Sequence, residues 1–493
     1  MRLRPTSLSG TMTSVRHLSG VIVTFALLAA LVVAGCGGSE SAAGSASAAA
    51  IAPATAPVYV SVNTDRDSEE WNRLEALLER FPGRARLVTA LQEMLADEGI
   101  DADDLDRAFG PTVELVWLDL EDEGDNLVGL TQTDDEDALR DLFQDEEPAI
   151  AEIEGWTAFA EEEATLERFR QAVASGAKLG DEERFQDAMD ELRDEALVKA
   201  YVNGEALTDE LREVAGAFGA AGLPADARLD ALAGALSAED DGMRLGFHAA
   251  GLAVDDAPEV GELLEDVPDG VIAFVQAGLG EQADSLGSQL EGTPGAGQAL
   301  DQLEQLAGVS LDDLLALFRD EFVLYVRPAT LIPEVTLVAK TEDAERSRET
   351  IDSLLEAVAR LTGGSTSTRE IDGLEATEAR LGPVSLFATA YDDRVVVTTS
   401  PTGIEDLRGD GDRLVDDERY RDALEAAGVD DGDDVFVYVD VDEAYGLVER
   451  LAQLAGEDVP QEVRENVEPL RAVVVSGTIG EGAASGSLFL ALD

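Results

Sequence analysis

From residue 58 onward, short β-branched and aromatic runs alternate with stretches in which apolar residues recur every three or four positions. The first kind predicts strands, the second amphipathic helices. Val58-Tyr59-Val60-Ser61-Val62 opens the series as a strand. Trp71, Leu74, Leu78 and Phe81 then share one helical face, stopped by Pro82-Gly83, and Leu87, Leu91 and Leu95 define a second helix ending at Gly99. Strands are predicted at 112–118 and 127–132. Thr133-Asp134-Asp135-Glu136 reads as a capping box, in which Thr and Glu satisfy free amides of a helix's first turn. A hairpin follows, 149–153 with 156–160, turning at Glu154-Gly155. The run Lys178-Leu179-Gly180-Asp181-Glu182-Glu183-Arg184-Phe185 leads into a helix. A strand at 198–203, a helix with Leu207, Leu211, Val214 and Phe218, and a hairpin turning at Asp241-Gly242 close the unit.

The same order begins again at Asp269. Residues 271–275 answer 58–62, and 308–314 answer 99–105. Arg413-Leu414-Val415-Asp416-Asp417-Glu418-Arg419-Tyr420 matches the run from Lys178 almost position for position. The offset is 208 residues at Thr133 and Thr341 and 235 at Leu179 and Leu414, so about 27 residues are extra in the second copy. They are expected to form an added hairpin, 384–391 with 394–400. A repeat of this length is too long for a solenoid. The expected fold is α+β: two tandem duplicated domains, 57–254 and 268–493, each an antiparallel sheet packed with helices. One merged sheet with pseudo-two-fold symmetry is the alternative.

The N-terminus changes the picture from fold to address. Arg16 and His17 precede an apolar run at 21–33, which ends in Val33-Ala34-Gly35-Cys36. Basic residues, a short apolar core and small residues form a signal peptide, here 1–35, with Met12 an alternative start to Met1. The apolar run is short for a membrane span, which needs about 20 residues. Ala34, Gly35 and the chain's single cysteine resemble the lipobox of bacterial lipoproteins, which implies acylation of Cys36 after cleavage. Residues 36–56, rich in Ala, Ser and Gly, are then expected to be a flexible tether. The expected location is the outer face of the cytoplasmic membrane, with the membrane itself a partner through lipid on Cys36.

Charge narrows the partners. The chain has a net charge of −69 and only three lysines, Lys178, Lys199 and Lys340; removing 1–35, with three arginines and no acids, brings it to −72. Such a surface repels nucleic acid and anionic head groups, so no nucleic-acid partner is expected. Acids spread through every predicted helix point to a protein adapted to high salt, where counterions relieve self-repulsion. The melting temperature should therefore rise between low and molar NaCl; a flat response would remove this reading.

The opening Ala56-Pro57-Val58-Tyr59-Val60-Ser61-Val62-Asn63, the doubled layout and the strand–helix run 414–440 together resemble domain of unknown function 3352, a family of actinobacterial envelope proteins. The resemblance spans about 53–493 and implies an envelope protein; it brings no catalytic residues.

Candidate chemistry is sparse. His248 is the only histidine after the signal segment; it alternates with Leu245, Phe247 and Ala249 and is expected on the wet face of its strand. With Cys36 acylated, neither a triad nor a zinc site is expected. Asp101-Ala102-Asp103-Asp104, Glu161-Glu162-Glu163 and Asp430-Asp431-Gly432-Asp433-Asp434 carry little information in so acidic a chain. None matches a calcium loop, to which Asn63-Thr64-Asp65-Arg66-Asp67 comes nearest. Gly292-Thr293-Pro294-Gly295-Ala296-Gly297 lacks the lysine of a phosphate loop. In the repeated acid-rich run, Phe185 and Tyr420 are expected as core anchors and Arg184 and Arg419 as ion-pair partners. No catalytic, metal or cofactor residue is expected. The expected role is a non-enzymatic binding or scaffolding module, whose partner is an envelope protein or an apolar ligand. A carrier of an apolar or lipid ligand and a carboxylate-based hydrolase of envelope polymers are the alternatives.

Overall fold

A computed structural model describes residues 47–97, 105, 107–120, 126–143, 148–206, 229–251, 260–280, 283, 286–287, 290, 296–329, 332–429, 433–480 and 482–493. Cys36, the signal segment, the predicted helix 207–218, the acids at 101–104 and 430–431, and residues 292–295 lie outside them, as do the side chains of Leu87, Leu91 and Leu95. The chain divides into two compact units: residues up to 72 with 85–186 and 197–202, and 73–84 with 187–196 and 203–493. It is an α+β chain whose eighteen described strands all pair antiparallel.

In the first unit, β1 (Val58–Asn63), β2 (Thr112–Trp117), β3 (Leu127–Thr131), β4 (Ala149–Ile153), β5 (Trp156–Ala160) and β6 (Val198–Asn203) line up as β4-β5-β3-β2-β1-β6. The β4–β5 hairpin turns at Glu154 (φ 52°) and Gly155 (φ 84°), the left-handed pair that a two-residue turn demands. Leu115, Leu127, Leu139 and Phe159 form its core. The helix Glu136–Leu142 starts later than the predicted capping box. Its N-cap is Asp135, which accepts from Ala138 N at 3.0 Å, while Thr133 Oγ1 accepts from Asp135 N at 3.1 Å. Two stacked side-chain caps do what one box was expected to do.

Residues 47–56 are body, not tether. Ala48–Ala50 form a 3-10 turn in which Ala48 and Ala49 are buried, and Pro53 bridges to Lys178. Small side chains, which signal flexibility in solvent, here allow the backbone to lie close against the unit.

The second unit holds β7 (Ala231–Glu239), β8 (Gly242–Ala250), β9 (Ala273–Gly278), β10 (Glu321–Arg327), β11 (Glu334–Lys340), β12 (Ser365–Ile371), β13 (Leu374–Leu381), β14 (Val384–Tyr391), β15 (Arg394–Thr398), β16 (Asp434–Asp440), β17 (Leu470–Gly480) and β18 (Ala483–Leu492). They form one sheet, β12-β13-β14-β15-β11-β10-β9-β16-β17-β18-β8-β7. This redraws the expected boundary at 254. The β7–β8 hairpin pairs along β18 over nine residues, Ala483↔Ala250 to Ala491↔Gly242, and belongs to the second unit. The expected hairpin 384–391 with 394–400 forms as β14 and β15, and β12 and β13 form a further hairpin turning at Asp372-Gly373.

Candidate functional site

The second unit's sheet has two unequal faces. Alternate residues of a strand point to opposite sides. One set, including Phe274, Val323, Tyr325, Tyr438, Val474 and Phe489, is buried. It packs with Ile404, Leu407, Leu414, Tyr420 and Ala423 from the helices Pro401–Arg408 and Glu418–Ala426 and the 3-10 turn between them. On the other face, the helix Ala344–Thr362 covers Ala379, Ala388 and Val395 with Ile351 and Leu355.

Beyond that helix the second face is apolar yet open. Leu337 pairs with Leu324, Leu324 with Val275, Val275 with Val437, and Val437 with Val475. The row continues through Leu488 and Leu245 to Leu236. Eight strands thus place eight aliphatic side chains in line, a span of about 34 Å at the usual strand spacing. The next row, Val326, Ala273, Val439, Val473, Leu490 and Met243, is apolar too. Leu324 (39%), Val275 (42%), Leu488 (39%) and Leu245 (48%) are exposed. Monomers seldom expose contiguous apolar patches beyond a few hundred Å², and larger ones mark binding surfaces. The helix Val441–Ala455 adds apolar surface, since Val448, Leu451 and Leu454 are exposed and none of its residues is buried.

Strands buried on both faces read as unbroken apolar runs. Val473-Val474-Val475 and Leu488-Phe489-Leu490 are such runs, on strands the protein covers fully on one face. That signal was in the sequence; which face stays open was not.

The histidine reverses its expected side. His248 is 8% exposed and its Nδ1 lies 2.8 Å from Ser485 Oγ, whereas Leu245 is on the open face. Arg244, two pairs along, shares the buried face. Polar residues point inward here because that side offers partners: Ser485, Ser487, Glu239 and the Ala427 carbonyl.

A separate cleft of about 410 Å³ lies beside the helix Glu418–Ala426, lined by Asp241, Arg419, Asp422, Tyr438, Asp440, Asp442, Arg471 and Asp493 among others. Its charges are largely spent on one another. Asp440 caps the following helix, accepting from Glu443 N at 3.0 Å, and receives Arg419 at 3.0 Å. Arg419 also reaches Glu443 at 3.2 Å, and Arg471 reaches Asp442 at 2.7 Å. The repeated acid-rich runs act structurally. Tyr420 packs against Tyr438 with centroids 5.1 Å apart, and Phe185 packs against Tyr201 at 4.9 Å.

The calcium-like stretch is a set of local caps: Asn63 Oδ1 accepts from Asp65 N and Asp65 Oδ1 from Asp67 N. Among the described residues, no group of three or more His, Cys, Asp or Glu is placed to hold a metal ion.

One buried acid in the first unit was missed. Glu114, 2% exposed, receives the Tyr59 hydroxyl, whose oxygen lies 2.8 Å from Ser47 Oγ. Burial pushes its carboxyl up to about 7, against hydrogen bonds from Tyr59, Ser61 and the Ala48 backbone. A Glu in the middle of an apolar strand pattern was the readable signal.

The family model described as protein of unknown function (DUF3352) matches residues 120–492. The chain belongs to that family. Curated proteins show no match. The solved structure titled "Structure of crystal form III of TP0453" resembles 45% of this chain and 84% of its own at 12% identity, with a TM-score of 0.24. That likeness is too slight to bear on fold or function. This member of the protein of unknown function (DUF3352) family thus has its open sheet face within the matched region.

Proposed function

We propose that the chain is a non-enzymatic binding module of the cell envelope, held at the outer face of the cytoplasmic membrane by lipid on Cys36, with the open sheet face as its binding surface. The exposed side chains Leu324, Val275, Leu488 and Leu245 carry this reading, because free energy favours covering them at roughly 25 cal/mol per Å². The committed side chains of the acidic cleft favour binding over hydrolysis. The two units also read as copies of one ancestor. The order β4-β5-β3-β2-β1-β6 matches β14-β15-β11-β10-β9-β16. Each unit also has a buried glutamate that accepts from a turn ahead of one of its strands, Glu114 from Ala48 before β1 and Glu321 from Gly261 and Leu263 before β9.

A photo-crosslinking residue at position 245 should capture another molecule, lipid or protein, in the native envelope at high salt. Capture no greater than from position 422, among the acids of the cleft, would remove the reading. Two acyl chains anchor stably where one is marginal, so Cys36→Ala should move the protein from the membrane to the soluble fraction; retention would end the anchoring claim.

A further inference from the structure

We propose that the cleft beside the helix Glu418–Ala426 is a binding site for a small aliphatic amine, held by its ammonium group. This site is separate from the open sheet face, and its ligand is neither lipid nor protein, so either reading can fail without the other. Three observations on the cleft carry it.

First, its buried part holds an unanswered polar atom. Tyr438 lines the cleft and is 2% exposed, with its ring centroid 5.1 Å from that of Tyr420. Buried tyrosine hydroxyls usually find a hydrogen-bond partner, as Tyr59 does in Glu114. No described residue partners the Tyr438 hydroxyl. A phenolic oxygen accepts as well as donates, so an ammonium N–H entering the cleft answers it.

Second, the exposed part keeps negative charge in reserve. Arg419 is taken up by Asp440 and Glu443, and Arg471 by Asp442 and Asp493. Asp241, in the turn between β7 and β8, and Asp422, on the helix, line the same cleft. Both are exposed and neither has a basic partner among the described residues. Five aspartates against two arginines leave the lining at −3, which selects against an anion. Among the described residues no three acids are placed to hold a metal ion; an ammonium needs only single acceptors, one for each N–H. Such contact pairs in a cleft are screened less by salt than the overall field of the chain.

Third, the rest of the lining is small and aliphatic. Ala423, Ala426, Ala472, Ala491 and Leu492 can take a chain of methylenes and offer no side-chain group to a polar body. The volume of about 410 Å³ falls in the range of about 300–1,000 Å³ typical of small-molecule sites.

The test uses the mature chain carrying Cys36→Ala, at an NaCl concentration where circular dichroism shows it folded, with 1,4-diaminobutane as probe. Calorimetry should show saturable binding of one molecule per chain, and none of 1,4-butanediol, which lacks only the charge. Asp241→Asn with Asp422→Asn should weaken binding at least tenfold. Tyr438→Phe should weaken it about tenfold, as expected for one hydrogen bond to a charged group. Glu345→Gln with Glu349→Gln removes the same charge from the helix Ala344–Thr362 and should leave affinity unchanged. If the Asn variant loses its sheet, Tyr438→Phe, which removes one oxygen, decides. Absence of saturable binding, equal binding of the diol, or unchanged affinity in a folded Asn variant or in Tyr438→Phe would overturn the proposal. So would equal weakening by the Glu345 and Glu349 changes, which would show attraction to the chain's overall charge.

Discussion

Arg244→Ala should destabilise the second unit by about 3 kcal/mol, the usual range for breaking a buried, multiply bonded charge. The Arg244 side chain is 8% exposed and spends its guanidinium on four groups. It donates to both oxygens of Glu239, to Ser487 Oγ at 2.9 Å and to the Ala427 carbonyl at 2.9 Å, and lies 4.8 Å from the centre of the Phe489 ring. These contacts tie β8 to β18 and to the end of the helix Glu418–Ala426. Alanine would leave the Ala427 carbonyl without this donor and Glu239 with Arg193, 3.3 Å away. Lysine should recover little, since an ammonium cannot reproduce the planar fork. Urea unfolding with an unchanged slope and a lowered midpoint is the expected result. A loss below about 1 kcal/mol would show that the network contributes little beyond packing.

The second large effect depends on pH and concerns Glu114. Its folded carboxyl titrates near 7, above the ordinary 4.5, because burial disfavours the ion. Between those values the folded chain keeps a proton that the unfolded chain has lost. Stability therefore falls as pH rises through this window and levels off above about 7. Glu114→Gln keeps an acceptor for the Tyr59 hydroxyl and carries no charge at any pH. Relative to wild type, the variant should gain stability on the order of 3 kcal/mol between pH 4.5 and 7.5. Repulsion among the other acids is shared by both proteins, so the difference isolates Glu114. Parallel stability curves over that range would show that the buried carboxyl does not titrate there. The same group holds the turn at residues 47–50 through Tyr59 and Ser47, so amide exchange in that turn should report the change.

Local signals are strongest where one residue type is almost obligatory. Glu154-Gly155 announced its hairpin because both positions need positive φ. Asp372-Gly373 carries the same signal with φ of 46° and 76°. Turn residues mark a hairpin but cannot tell which of its strands pairs with β11. Likewise, Ala48, Ala49 and Ala52 look like linker because alanine is small and carries no polar handle, and the same smallness lets them be buried.

The sequence by itself determined the strands of the first unit, the β7–β8 and β14–β15 hairpins, the anchoring aromatics Phe185 and Tyr420, the extreme acidity, and the candidate lipid site at Cys36. Each follows from periodicity, charge or a short motif, which depend only on near neighbours. Tertiary structure alone decided that β8 pairs with β18, that His248 and Arg244 point inward, and that Leu245, Leu488, Val275 and Leu324 form one open row. A strand apolar on both sides has no internal preference for either face. The helices that pack on one face, and the polar partners that wait there, make the choice.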